Sequence, residues 1–453
     1  MKRLLIFSLW IGLVACSPRL LPPQVSLPEA YLYGAEFSTD TLGVDSAWWR
    51  SFRDTTLNGY IAIALRENRD LAVALSRVEQ ARANLKVARA EYLPQVGIGI
   101  QAKGSFTDAT RITQNYLIEP NLSWEIPLFG ALRHAKRAAQ AEMLASEWAL
   151  KGVQLSLCAE VATTYFTLLE YQRDLHVARY SLELRNKSAS LIDSLVRYGM
   201  TDGQSLEQAR SLVYTAQADI ANYERAVEQT YLALGVLLGQ TPQRVDLSKQ
   251  GEELYTSHRP TEIPIGLPSQ LLTRRPDIQQ AHYQVTKAAA EAGSARSARF
   301  PSIALTAEGG VISQTVKGLV TGMPWAWSAV GSISEPIFAF GKLKQNERIA
   351  IEAYNQAVKT YEQTLLSAFA DVEQRLVAIT TYREELARYV KLVEANARIA
   401  MTTLALYESG LTNYFDVIDS QRTLYESQMS YVNLLSQQQI NYVELYKALG
   451  GGW

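Results

Sequence analysis

Two halves of this 453-residue chain repeat one another in the same order. Asp70-Leu71 returns as Asp277-Ile278, and Pro94 returns as Pro301, both 207 residues on. Glu125-Ile126-Pro127-Leu128-Phe129 returns as Glu335-Pro336-Ile337-Phe338, with the prolines 209 apart. Gly130, Tyr198-Gly199 and Leu238-Gly239 return as Gly341, Ser409-Gly410 and Leu449-Gly450, all 211 apart. The offset drifts only where the sequence reads as loop. Whatever one half forms, the other must form too. The copies run over about 45–250 and 251–453.

Each copy has the same order of patterns. A helix is expected from Leu57 to Leu93, where Leu71, Leu75, Val78, Ala81, Leu85, Ala88 and Tyr92 step by three or four. Pro94 ends it, because proline restricts the residue before it and donates no hydrogen bond. Its twin is expected from about Ser269 to Phe300. The period then changes to two. Val96, Ile98, Ile100 and Ala102 alternate with Gly97, Gly99, Gln101 and Lys103, and Ile118, Leu122, Trp124 and Ile126 alternate with polar residues. The second copy sets Ile303, Leu305 and Ala307 against Ala304, Thr306 and Glu308. It also sets Trp325, Trp327, Ala329 and Ile333 against Ala326, Ser328, Ser332 and Ser334. Such strands suit a tilted barrel with lipid outside and water inside, and tryptophans suit a membrane interface. An amphipathic hairpin packed on a helix alternates as well.

The segments that follow weigh against that plainer reading. Between Ala131 and Tyr198 the only glycine is Gly152, and no proline occurs there; from Lys342 to Ser409 there is neither. Such a stretch of 68 residues makes a helix of roughly 100 Å, too long for a compact domain. Gly199 and Gly410 end these helices, and Asp202, or Thr412 and Asn413, can cap the helices that return to Leu238 and Leu449. Along the second return helix, Val417, Leu424, Tyr431, Leu435, Tyr442 and Leu449 follow coiled-coil steps. A filamentous coiled coil would not need two alternating strands between its helices, twice.

The N-terminus adds an address. Lys2 and Arg3 precede an apolar run from Leu4 to Val14, too short to span a membrane as a mature helix. The run stops at Leu13-Val14-Ala15-Cys16, which resembles a bacterial lipobox. We expect a signal peptide over 1–15 and an acylated tether over 16–44 with the lipid on Cys16; the alternative is an ordinary signal peptide with an incidental cysteine. Four prolines between Ser17 and Pro28 read as an extended tether.

Composition excludes several classes. Lys+Arg 44 against Asp+Glu 45 gives a net charge of −1 and no electrostatic footprint for nucleic acid. Two cysteines and four histidines, without ligand spacing, point to no metal. Cys158 reads as a small buried group in a long helix. No nucleophile elbow, zinc helix or phosphate loop appears, so no catalytic residue and no cofactor are expected.

Four strands cannot close a barrel, and open edges in lipid cost several kcal/mol per unpaired group. Several chains must therefore share one barrel. The fold class expected is a mixed membrane protein. A long α-helical barrel is continuous with a transmembrane β-barrel built from several chains, from two tandem repeats of helix–strand–strand–long helix–helix.

Four stretches resemble the TolC-like outer-membrane efflux proteins, in the lipoprotein branch serving tripartite pumps. They are Trp48-Trp49-Arg50-Ser51-Phe52-Arg53-Asp54, Arg274-Arg275-Pro276-Asp277-Ile278, Gly410 through Arg422, and Lys447-Ala448-Leu449-Gly450-Gly451-Gly452-Trp453. The resemblance covers nearly all of the mature chain. It implies a homotrimer in the outer membrane with a long periplasmic extension, a periplasmic adaptor protein, and an inner-membrane pump that supplies the energy. It implies a passive conduit for small toxic compounds; the exit duct of a type I-like protein-secretion system shares the architecture and is the alternative. A structural stalk is a third reading, which predicts no conductance.

The same resemblance implies a periplasmic gate built from Phe415 and Asp419, with Asp416 as a second acidic candidate. Spacing of four places Phe415 and Asp419 on one helix face. Three carboxylates around an axis would repel one another and attract cations. Acidic residues in a first helical turn also offset the helix dipole without any further role. Arg197, Tyr198, Gly199, Tyr407, Gly410, Thr412 and Asn413 are the expected tip and adaptor contacts.

Overall fold

Both copies of the sequence turn into the same series of elements. The computed structural model describes residues 20, 28–35, 37, 47–106, 112–241, 265–266, 268–319 and 325–451. The expected signal peptide and Cys16 lie outside these residues. Copy one runs α1 (Thr55–Glu67), α2 (Arg69–Ala90), β1 (Gln95–Phe106), β2 (Ile112–Ile126), α3 (Ala131–Arg197) and α4 (Gly203–Leu237). Copy two runs α5 (Leu271–Arg274), α6 (Pro276–Ser297), β3 (Ser302–Ser313), β4 (Trp325–Ser334), α7 (Lys342–Glu408) and α8 (Tyr414–Ala448). The long helices have 67 residues each and the return helices 35 each.

The single helix expected from Leu57 to Leu93 is two helices. Asn68 breaks it, with an extended backbone (φ −63°, ψ 132°). Its side chain accepts a bond from Leu71 N (3.0 Å) and donates to Leu237 O (2.9 Å). It thereby caps α2 and satisfies a carbonyl at the end of α4. In the second copy Pro276 makes the break, holding Arg275 extended (φ −73°, ψ 122°). The buried stripe of α2 is Leu71, Ala74, Val78, Ala81 and Leu85, whereas Leu75 is exposed.

The chain divides into two units. Over the described residues, one contains 76–148 and 279–364; the other contains 28–75, 149–278 and 365–451. The first unit holds the sheet, with antiparallel strand order β1-β2-β3-β4. Register carries one apolar face across all four strands. Ile98 stands opposite Pro120 and Val96 opposite Leu122; Trp124 stands opposite Leu305, and Ile303 links Ile126 to Ile333. The other face carries Gln101, Lys103, Glu119, Asn121, Glu125, Thr306, Glu308, Ser328 and Ser332. Between β2 and β3 the pairing skips Glu119 and Pro120. Proline has no N–H to offer there. Gly310 fits because a Cβ on it would lie 2.4 Å from Ile118 O. β1 and β4 are the edges, each unpaired on one side among the described residues.

The second unit is a helix bundle, and two of the recognised sequence stretches sit at its joints. Trp48 stacks on Tyr446 (centroids 5.2 Å apart). Asp54 caps α1 through Thr56 N and Leu57 N, and accepts the buried Tyr165 hydroxyl at 2.7 Å. Arg275 forks to Asp277 (2.7 Å), Asp371 (3.2 Å) and the Ala448 carbonyl (2.9 Å). It therefore ties the start of α6 to α7 and to the end of α8. The expected seam of α8 is present: Val417, Leu424, Leu435, Tyr442 and Leu449 are buried. Tyr431 packs beside Leu434 and Leu435.

Candidate functional site

The ends of the long helices come together in the helical unit. α3 and α7 stop in the same way. Gly199 (φ +69°) and Gly410 (φ +73°) take the left-handed conformation. Met200 N donates to Leu195 O and Leu411 N to Leu406 O, both at 2.9 Å. These are Schellman caps, which satisfy carbonyls the helix leaves open. Asp202 then caps α4 by accepting from Ser205 N (2.9 Å), and Asn413 caps α8 by accepting from Asp416 N (3.1 Å). The Asp202 carboxyl is held below its ordinary pKa by the Ser205 backbone and hydroxyl bonds. Behind the turns, Ile192, Ala209, Tyr414 and Val417 form a small apolar core, and Leu404 and Tyr407 of α7 pack against it, so that all four helices meet there.

Tyr407 is the expected tip residue that bridges the two turns. Its ring lies 5.5 Å from that of Tyr414, and its hydroxyl bonds the side chain of Thr201. Burial raises its pKa above the usual tyrosine value. Arg197 instead pairs along its own helix with Asp193 (2.5 Å), and Arg210 of α4 approaches the same carboxylate at 3.7 Å. Tyr198 is 81% exposed. Thr412 donates its hydroxyl to Asp416, so Asp416 is held within the cap of α8. Thr412 is not the capping residue; Asn413 is.

Phe415 is 66% exposed. Asp419 lies one turn on, half exposed and bonded to Arg422 at 2.8 Å. The first copy offers no such set, since Gln204, Ser205 and Gln208 stand 211 residues before Phe415, Asp416 and Asp419. The two turns share a backbone, and only the second carries this apolar and acidic pair.

One feature escaped the sequence reading. Along α3, residues 174, 178, 181, 185, 188 and 192 alternate steps of four and three, and all are buried. They are Asp174, Ala178, Ser181, Arg185, Ser188 and Ile192, a largely polar seam. Gln421 Nε2 donates to Ser188 Oγ (2.9 Å), Arg185 Nη1 to Leu212 O (2.9 Å), and Tyr425 Oη to Asp219 Oδ2 (3.1 Å). Asn433 Nδ2 reaches Glu170 Oε1 at 2.9 Å. Asp174 Oδ1 has no hydrogen-bond partner among the described residues. Burial first, and then the charge of Glu170, push the Asp174 carboxyl up to about 7. A carboxylate on a heptad step was the available signal.

Among the described residues there is no cluster able to hold a metal, and no helix is long and apolar enough to cross a membrane. Cys158 is buried, and its thiol is pushed up to about 12 by burial. Among the described residues the arrangement at the tips consists of caps, seams and ring contacts.

Comparison with known proteins agrees with this architecture. The family model described as outer membrane efflux protein matches residues 60–240 and 267–451, one segment per copy. "Probable outer membrane lipoprotein SilC" of Salmonella typhimurium is 32% identical over 100% of this chain and 99% of its own. The solvent efflux pump outer membrane protein SrpC of Pseudomonas putida is 35% identical over 95% of this chain and 93% of its own. The CmeC outer membrane channel of Campylobacter jejuni superposes with a TM-score of 0.85 at 25% identity, covering 97% of this chain and 95% of that one.

Proposed function

The chain belongs to the outer membrane efflux protein family, and from that premise we propose how its parts make a conduit. It is the outer-membrane component of an efflux pump. We assign it small toxic compounds as cargo, the class for which the solvent pump relative is named. The energy comes from the pump assembly, so the chain acts as a passive duct. A periplasmic adaptor meets the tips at Arg197–Asp202 and Tyr407–Asn413, and Cys16 carries the lipid that holds the mature N-terminus at the membrane.

A single observation carries the reading: a four-stranded sheet with one face apolar throughout and both edges unpaired among the described residues. Val96, Ile98, Ile100, Trp325, Trp327 and Ile333 are large, apolar and exposed. Such a surface suits lipid, and the polar face suits a water-filled lumen. Unpaired backbone edges are costly in lipid, so β1 and β4 pair with those of other copies. Three copies supply twelve strands, an even number within the range of bacterial barrels. The helical tips close the conduit, with Phe415 as the apolar ring and Asp419 as the charged one. Arg422 competes for Asp419 in the single chain, and closing would exchange that pair for contacts around the axis.

The test is a deletion in the native host, followed by dye accumulation and by the profile of secreted proteins. Accumulated dye with unchanged secretion is the expected result. Lost secretion with normal dye export would make the chain a protein-secretion duct instead.

A further inference from the structure

We propose that the helix-joined end of the sheet carries a belt for anionic phospholipid, in which Arg133, Lys136 and Arg137 take the phosphodiester headgroups of the periplasmic leaflet. The proposal rests on the lipid-facing reading of the sheet and names the lipid class that its periplasmic rim selects.

All four strands meet their helices at one end of the sheet, since Gln95 stands opposite Ser123, Ile126 opposite Ile303 and Ser302 opposite Ser334. At that end the apolar face grades into charge along one connected path. Trp124, on the apolar face beside Ile126, donates its Nε1–H to Tyr92 O at 3.0 Å. Lys136 Nζ lies 5.9 Å from the centre of the Tyr92 ring, within cation–π reach. Aliphatic side chain, indole, phenol ring and ammonium thus follow one another, in the order in which a bilayer passes from tails to headgroups. Arg133 lies three residues before Lys136 and four before Arg137, so the three cations share one side of α3. Both arginines are exposed. Burial first, and then these two charges, hold the His134 imidazole below its ordinary pKa.

Positive charge is concentrated at this level. Residues 86–94, 127–138, 294–301 and 335–348 hold ten lysines and arginines against three glutamates, in a chain whose net charge is −1. Arg299 pairs with Glu347 (2.5 Å), but Arg133, Arg137, Lys342 and Lys344 enter no ion pair among the described residues. Helix physics alone argues against cations here. Asp54, Asp70, Asp202, Asp277 and Asp416 stand at the starts of α1, α2, α4, α6 and α8, where negative charge offsets the positive end of the dipole. α3 and α7 are the two helices that start at the sheet. They have no acidic residue in the first turn and carry Arg133, Lys342 and Lys344 there instead. Unpaired cations at positive helix ends are repelled by their own helices, and an external anion relieves this. A soluble acidic partner would supply the charge but leave the adjoining apolar face bare. An anionic lipid meets both, with its tails along Ile126 and Trp124 and its phosphate on the cations.

Lipid retention tests it. The full chain is equilibrated in mixed micelles holding equal amounts of phosphatidylglycerol and phosphatidylcholine, and the lipids that stay bound are counted by native mass spectrometry. Phosphatidylglycerol should be preferred, by roughly fivefold for each cation that meets a headgroup, and the preference should shrink at high salt. Changing Arg133, Lys136 and Arg137 together to glutamine should abolish most of it, whereas Lys136→Arg should keep it. Arg383, Arg388 and Lys391 are exposed cations of the helical unit. Changing those three to glutamine removes the same charge and should leave the preference unaltered. Should the first triple variant fail to accumulate, Lys136→Gln alone should lower the preference by about fivefold. No preference in the parent, an unaltered preference in the belt variants, or an equal loss in the control overturns the proposal. Stronger retention of lipopolysaccharide than of phosphatidylglycerol at equal phosphate would assign the cations to the lipid of the other leaflet and overturn it as well. Dye accumulation in the deletion strain, with no lipid preference in the parent, rejects the belt and keeps the duct. A lipid preference in a chain whose deletion leaves export unchanged supports the belt and rejects the pump reading.

Discussion

Asp174 lies one helical turn beyond Glu170, and both carboxyls are buried in the same polar seam of α3. Asn433 serves Glu170, while Asp174 Oδ1 has no partner among the described residues. Tyr223 of α4 feels the charge of Asp174 as well. A folded-state pKa of about 7 against an ordinary 3.8 means that the folded chain binds the proton more tightly than the unfolded one. Stability from this group is therefore full below about pH 4 and falls as pH rises towards 7. Asp174→Asn removes the titration. It should raise thermal stability above pH 7, by on the order of 2–4 kcal/mol, and gain nothing at pH 4. Melting curves of both proteins at pH 4 and pH 8 check this, and equal shifts at the two values would contradict it.

Asp419→Ala separates the gate role from the role of a helix-surface ion pair. The pair with Arg422 is exposed, and such pairs contribute at most about 0.5 kcal/mol. Stability should hardly move. In planar bilayers the variant should conduct more at rest and lose preference for cations. Unchanged conductance and selectivity would leave Asp419 as a solvated helix-surface residue.

Arg275→Lys is predicted to be far from conservative. The guanidinium holds Asp277, Asp371 and the Ala448 carbonyl at once. An ammonium cannot reproduce that fork, and the Ala448 carbonyl at the end of α8 loses its donor. We expect a loss of about 2–3 kcal/mol, read from denaturant unfolding. A loss below about 0.5 kcal/mol would mean water replaces the fork.

Gly410→Ala and Gly450→Ala should differ although both glycines sit at helix ends with positive φ (+73° and +93°). A Cβ on Gly410 meets nothing within 4 Å, whereas on Gly450 it would meet the Arg274 carbonyl at 2.9 Å. The first substitution should cost about 1 kcal/mol, from backbone conformation alone. The second adds a clash with main chain and should cost at least twice as much, or prevent accumulation of the protein. Comparable melting temperatures for the two would refute the distinction.

The tips were legible in the sequence because their physics is local. A glycine for the left-handed turn, then Asp202 or Asn413 three residues before a main-chain N–H, is written in consecutive residues. The strands were legible because a period of two survives in Val96-Gly97-Ile98-Gly99-Ile100. The break at Asn68 was not, because the Leu237 carbonyl that holds it lies 169 residues away. Asp174 was missed for a related reason: a carboxylate on a helix step reads as solvated until the facing helix is known. Phe415 and Asp419 have the spacing for one face, but what they look towards depends on other copies, which no single chain contains.

The equal lengths of α3 and α7, and of α4 and α8, constrain how such a chain can evolve. The copies differ in spacing by four residues, and all four fall between the start of β3 and the start of α7. Adding one turn to α7 alone would carry Tyr407 about 5.4 Å past Thr201 and uncouple the two turns. An insertion in either long helix survives only with a matching one in its twin and compensation in both return helices. Tuning such a protein to a wider or narrower cell envelope therefore requires coordinated changes at four sites, so span should vary rarely and in steps, while loops and side chains drift freely.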